Sequence, residues 1–308
     1  LFDNLDPNDR WNTCNFDEAV KNGDLTNMKW LRKNGCPWDL FTFTKAAKIG
    51  NLDIMKWLFE NGCPWDKDVF KEIALTGNLV IIKWLYDNEC PWNEDVFYCA
   101  AKNGNLENMK FLAKKGCPWD DGTFAEAAKY GNLDNMKWLF YNNCPWDADV
   151  FAFAVENGDL DSMKWLRANG CPWNEETFAA SAKYGNLDNM KFLAKEDCPY
   201  DEDTFKYAAE NGNLINMKWL LKYDYPWDED TFIEAAKYGN LENMKFLAKE
   251  GCPWDEDTFK YAAKNGKIEN LKFLTKEGCP WNKYIFPYAA VNCNLEVNEW
   301  LKDNLIIK

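Results

Sequence analysis

Cysteine offers the most chemistry in this sequence, and it comes as a ladder. There are 12 cysteines, and nine of them (Cys36, Cys63, Cys90, Cys117, Cys144, Cys171, Cys198, Cys252 and Cys279) recur every 27 residues, with Tyr225 in the one missing place. Thiolates can ligate metals, pair as disulfides or act as nucleophiles. The spacing argues against each use. No C-x-x-C occurs and the chain has no histidine, so zinc-site spacing is absent. Equivalent residues in neighbouring layers of a helical stack lie about one helix diameter apart, beyond the roughly 7 Å Cα limit for a disulfide. The expectation is a row of small buried thiols, reduced and metal-free, in a cytoplasmic or nuclear compartment.

The other chemistry-bearing side chains are just as periodic. Trp38, Trp65, Trp92, Trp119, Trp146, Trp173, Trp227, Trp254 and Trp281, with Tyr200, form a second ladder. Such rings can stack on sugars or bases. Here they are expected to pack between loop and helices instead. Lys29, Lys56, Lys83, Lys110, Lys137, Lys164, Lys191, Lys218, Lys245 and Lys272 form a third, read as a solvated face with acids three residues earlier at Asp53, Glu107, Asp134 and Glu242. Loop acids such as Asp201, Glu202 and Asp203 offer too few ligands for calcium and no closing bidentate glutamate. A general base would have to be a carboxylate, lysine or thiolate in one unusual position, and repetition works against unusual positions. No nucleophile elbow, phosphate loop or dinucleotide fingerprint appears. No enzyme, cofactor or catalytic residue is expected.

All these ladders belong to one 27-residue unit, seen most clearly at 228–254 as DEDTFIEAAKYGNLENMKFLAKEGCPW. Phe16, Phe43, Phe70, Phe97, Phe124, Phe151, Phe178, Phe205, Phe232, Phe259 and Phe286 keep its register. A fixed period of this size marks a solenoid, whose units cannot bury their apolar faces alone. Each unit reads as two short helices. In the fifth, Phe124, Ala127 and Ala128 make one helical face, and Gly131 ends that helix. Asn132 then caps a second helix with the stripe Leu133, Met136, Leu139 and Phe140. The acid two residues before the phenylalanine (Asp68, Asp95, Asp149, Asp203, Asp230, Asp257) is expected to cap the first helix. Gly-Cys-Pro stops the second.

The unit resembles the ankyrin repeat. D-T-F-x-x-A-A-x-x-G stands for the family's T-P-L-H-x-A-A-x-x-G, and G-N-L-E-N-M-K-F-L-A-K-E-G at 239–251 matches its second-helix signature. An ordinary ankyrin unit is six residues longer, and the missing ones belong to the β-hairpin finger. The resemblance therefore implies an all-α, ankyrin-like helix-pair solenoid without fingers. Short units ending in Gly-Cys-Pro-Trp are similar to those of large DNA viruses of amoebae and of some protists, which points to a virus-infected host cell.

The domain expectation is a single array over 1–308: a degenerate N-terminal end at 1–11, eleven 27-residue units from 12 to 308, and a C-terminal cap at 282–308. Within it, 178–231 and 232–285 match each other better than successive units do, a longer period of 54. Net charge is −14, from 36 basic and 50 acidic residues. That balance argues against nucleic acid and anionic membrane as partners. No stretch is long and apolar enough to span a bilayer, and the first residues do not read as a signal peptide.

The positions that vary carry the functional expectation. The second and sixth residues after each phenylalanine are neighbours on the first helix. From the fifth unit on, one of them is always aromatic: Tyr130, Phe153, Tyr184, Tyr207, Tyr238, Tyr261 and Tyr288. The ankyrin resemblance implies that first helices line the concave side. The expected function is a non-catalytic scaffold that binds a partner protein there, either as a monomer or self-associated end to end. Packing of these rings between helices stays open, as does a structural role in end-to-end assembly or particle coating.

Overall fold

The computed structural model describes residues 13–282, 285–290 and 295–305, the side chains of 13–15, 286, 290 and 305 aside. The expected N-terminal end at 1–11 lies outside these residues, as do Val291, Cys293 and 306–308 of the expected cap. The described residues are all-α: short helix pairs repeat with no strand among them, so no hairpin finger accompanies the Cys-Pro-Trp loops.

Two compact units result, 1–146 and 147–308. The first holds α1 (Thr13–Lys21), α2 (Leu25–Lys33), α3 (Leu40–Ile49), α4 (Leu52–Glu60), α5 (Lys67–Thr76), α6 (Leu79–Asp87), α7 (Glu94–Asn103), α8 (Leu106–Lys114), α9 (Asp121–Lys129) and α10 (Leu133–Tyr141). The second holds α11 (Ala148–Asn157), α12 (Leu160–Ala168), α13 (Glu175–Lys183), α14 (Leu187–Lys195), α15 (Asp203–Asn211), α16 (Leu214–Lys222), α17 (Glu229–Lys237), α18 (Leu241–Glu250), α19 (Glu256–Asn265), α20 (Ile268–Lys276), α21 (Ile285–Ala290) and α22 (Leu295–Leu305). Within each unit, successive odd-numbered helices pack side by side, while even-numbered ones chiefly touch their own odd partner. The odd helices therefore form the closely spaced side of each stack.

The first-helix caps differ from expectation. The capping residue stands four places before the phenylalanine, not two. Asp39, Asp66, Asp120, Asp147, Asn174, Asp228 and Asp255 are extended there and accept backbone N–H groups of the first turn. An N-cap needs non-helical dihedrals, and Asp68, Asp149, Asp230 and Asp257 are already inside their helices. They sit in the first turn instead, where the helix dipole favours an anion. The second-helix caps are as expected, with Asn132 accepting the Asn135 N–H at 3.0 Å.

Some of those asparagines do more. Asn240 accepts from the Asn243 N–H at 3.2 Å while its Nδ2 donates to the Gly212 carbonyl of the preceding pair, also at 3.2 Å. Asn132, Asn186 and Asn213 reach back to Gly104, Gly158 and Gly185 in the same way. Gly212 has φ of 81°, and a Cβ on it would lie 2.9 Å from Asn240 Nδ2. Left-handed backbone and close approach together require glycine there.

The core is one phenylalanine per layer. The described ones from Phe16 to Phe259 are wholly buried, flanked by Met or Leu from the second helix, such as Met217 and Leu220 in one layer. Each Trp 22 residues further on lays its ring against that Phe, at 5.2 Å for Phe124–Trp146 and 5.0 Å for Phe205–Trp227. These indoles stay half-buried, so Phe carries the burial and Trp ties the loop to it. Tyr200 replaces one Trp and is exposed. Tyr225, in a cysteine place 25 residues on, fills in beside it, 4.4 Å from Tyr200 and 5.3 Å from Phe178.

Candidate binding face

The ladder cysteines close each helix pair. Cys63 Sγ donates to the Asp39 carbonyl at 4.0 Å, Cys144 to Asp120 at 3.4 Å and Cys252 to Asp228 at 3.5 Å. In each case the acceptor belongs to the N-cap of that pair's first helix. Burial pushes the thiols of Cys63, Cys90, Cys117, Cys144, Cys171, Cys198, Cys252 and Cys279 up to about 12. A thiol held protonated is a poor nucleophile and a poor ligand. Among the described residues, no group of three or more Cys, Asp or Glu side chains is placed to hold a metal ion.

The lysine row pairs with acids on its own helix, as Lys110 with Glu107 at 2.9 Å and Lys245 with Glu242 at 2.8 Å. Both partners are exposed, so each pair contributes only a few tenths of a kcal/mol.

The aromatic positions fall on the odd helices. In unit 1, Tyr130 is 46% exposed at the end of α9, with the Lys102 ammonium 5.3 Å from its ring centre. In unit 2, Tyr184 and Tyr238 are 46% and 48% exposed and Tyr288 is 36% exposed. Phe153, Tyr207 and Tyr261 are partly exposed. None of the seven is core. Tyr130, Tyr184 and Tyr238 each follow the last helical residue of α9, α13 and α17. Where Asn211 or Asn265 holds the equivalent place, the helix runs one residue further, to the glycine.

Carboxylates organise these rings, and the sequence reading passed over them. The Tyr238 hydroxyl donates to Glu210 at 3.1 Å, and Tyr184 hydrogen-bonds Glu156. Each acid stands 28 residues earlier, on the preceding odd helix. Burial raises the Tyr184 and Tyr238 phenols, and Glu156 and Glu210 raise them further. Tyr207 lies between two cations, with Lys183 4.8 Å and Lys206 5.4 Å from its ring centre. Lys260 sits 5.1 Å from both Tyr261 and Tyr288. Tyr184 and Tyr238, one 54-residue period apart, thus each bond an acid, while lysine ammoniums approach the rings of Tyr207, Tyr238 and Tyr261. Such a face can offer apolar area, hydroxyl tips and charges of both signs from rigid helices.

No family model matches the chain, and none of the curated proteins is similar to it. Among solved structures it is similar to the pentatricopeptide repeat protein PPR10 in complex with an 18-nt psaJ RNA element, and to a Cys-to-Ser variant of that protein with the same RNA. In both comparisons identity is 11% and the TM-score is 0.49, over 98% of this chain and 54% of the other. The chain thus spans about half the length of those structures. They correct one expectation: a protein-only partner, with nucleic acid excluded on net charge, does not stand beside helical-repeat neighbours that hold RNA. The physical reason is that net charge is a sum over the whole chain, whereas a ligand meets the local field of one face. For membranes, no helix among the described residues is long and apolar enough to cross one.

Proposed function

We propose that this chain is a non-catalytic binding scaffold of ankyrin-like units that recognises a partner protein across the odd-helix face of unit 2. The observation that carries this reading is the half-exposed row of Tyr184, Tyr238 and Tyr288, with Phe153, Tyr207 and Tyr261 partly exposed between. Tyrosine on a rigid helix offers a large contact area with a polar tip at little entropy loss, and such residues dominate binding hot spots. The ankyrin reading, and with it the likeness to viral units, rests on D-T-F-x-x-A-A-x-x-G and the Gly-Cys-Pro-Trp ending. A single array is supported by helix starts that keep the 27-residue step from Asp121 to Ala148. The many free cysteines favour a reducing compartment, the cytosol or nucleus. RNA remains a competing occupant.

The test is retention of a partner from the native cell by the wild-type chain and by Tyr207→Ala plus Tyr238→Ala. The double variant is expected to lose the partner while its unfolding free energy changes by no more than about 1–2 kcal/mol, as for ordinary surface substitutions. Loss of stability in step with loss of binding would return the rings to a packing role.

A further inference from the structure

Unit 2 carries a cavity of about 390 Å³ on the exposed side of α11, α13 and α15. Its lining is of three kinds. Alanines contribute Ala152, Ala179 and Ala180; aromatic rings contribute Phe153, Tyr184 and Tyr207. Carboxylates contribute Glu156, Glu176, Asp201 and Asp203; against them stand Lys183, which pairs with Glu210 at 3.8 Å, and at the rim Lys206, which pairs with Asp203 at 2.5 Å, leaving Glu156, Glu176 and Asp201 in the majority.

The 54-residue period shows why a cavity forms here. One period on, the aromatic frame recurs as Tyr207, Tyr238 and Tyr261, but Lys206, Ile233 and Glu234 replace the three alanines. The frame is shared, and the missing side-chain volume is particular to this layer. The acids here are not all satisfied by the fold. Asp201 takes the Asp203 backbone N–H, yet its buried Oδ1 has no hydrogen-bond partner among the described residues. Burial first, and then the Asp203 and Glu202 charges, push its carboxyl above the usual range. A cation brought into the cavity would relieve that repulsion.

We propose that this cavity receives an arginine side chain from a basic segment of the partner. The size is that of a small-ligand site. A planar guanidinium stacks on aromatic faces and gives paired N–H donors to carboxylates, which an ammonium cannot match in both respects. The carboxylate majority selects a cation and repels phosphate. The proposal rests on the reading of this face as partner-binding, and it names the chemistry of one contact on it.

The probe is a short acetylated Gly/Ser peptide with arginine at alternate positions, titrated into the intact chain at about 0.15 M ionic strength. Its citrulline counterpart, a single-stranded RNA of equal length and the wild-type melt are measured in parallel. The arginine peptide is expected to bind and the citrulline peptide not to. Ala152→Lys plus Ala179→Ile installs the residues this chain already carries one period on, and is expected to weaken binding about tenfold or more. Asp201→Asn, which leaves the cavity open, is expected to weaken it severalfold. Equal binding of the two peptides, or of wild type and the filled variant, overturns the proposal, as does RNA binding that the filled variant loses. If the partner still depends on Tyr238, which lies outside the cavity, while the filled variant binds it normally, the arginine site falls and the wider binding face stands. If neither change affects the partner, both fall.

Discussion

Raising the pH from 7 to about 10 is expected to destabilise this protein strongly, chiefly through its buried thiols. In unit 2 the thiols of Cys171, Cys198, Cys252 and Cys279 are pushed up to about 12 from an ordinary value of 9.0. A folded pKa above the unfolded one means that these groups' share of stability is complete below about 9. It is then lost as the pH rises toward 12, because the unfolded chain releases protons that the folded chain keeps. Relative to neutral pH each thiol has cost about 1.4 kcal/mol by pH 10, so the four together remove roughly 5.6 kcal/mol. That is comparable to the whole stability of a small domain. Unit 1, with Cys63, Cys90, Cys117 and Cys144, is expected to behave alike. Urea melts across this range, alongside thiolate absorbance, check the claim. Replacing the four unit 2 cysteines by alanine should flatten most of the slope. Thiols that ionise near 9 in the folded chain would refute it.

The second large effect separates two ladders that look alike in sequence. Phe205→Ala empties a wholly buried site and is expected to cost about 3–5 kcal/mol. Trp227, whose ring centre lies 5.0 Å from Phe205, is half-buried, so Trp227→Ala is expected to cost only about 1–3 kcal/mol. The residues touch, so the double variant should fall short of the sum. Hydrogen exchange should show protection lost first in α13 to α18, because repeat stability is set by nearest neighbours. Equal losses from the two substitutions would mean that the indole, not the phenyl ring, holds the layer.

Much of this was legible in the sequence because spacing alone decides it. Phenylalanine followed by alanines three and four places on makes a helical face whatever surrounds it, and Asn132 before a helical stripe is a cap. The cap of the first helix was misplaced because Asp228 and Asp230 are equally good capping residues, and only the dihedrals say where the helix begins. The second-helix stripe was partly misjudged too. Leu133 and Phe140 are only half-buried, while Asn135 and its equivalents Asn189 and Asn216 are wholly buried. Ile54 and Ile81 hold the same buried place in other layers, so residue type conceals the burial of this position. For the tyrosines, spacing places Tyr184 on the helix face but not in or out of the core, because the helix ends one residue before it. Its partner Glu156 belongs to the previous layer, a pairing that only the stack creates.

The central claim is that a partner engages the odd-helix face of unit 2. A photo-reactive phenylalanine analogue in place of Tyr238 on one chain, and in place of Lys245 on α18 in another, tests it in the native cell. The account predicts a protein adduct from the Tyr238 position that survives ribonuclease, and none from the Lys245 position. Adducts from both positions alike, or an adduct at Tyr238 that ribonuclease removes, would contradict it.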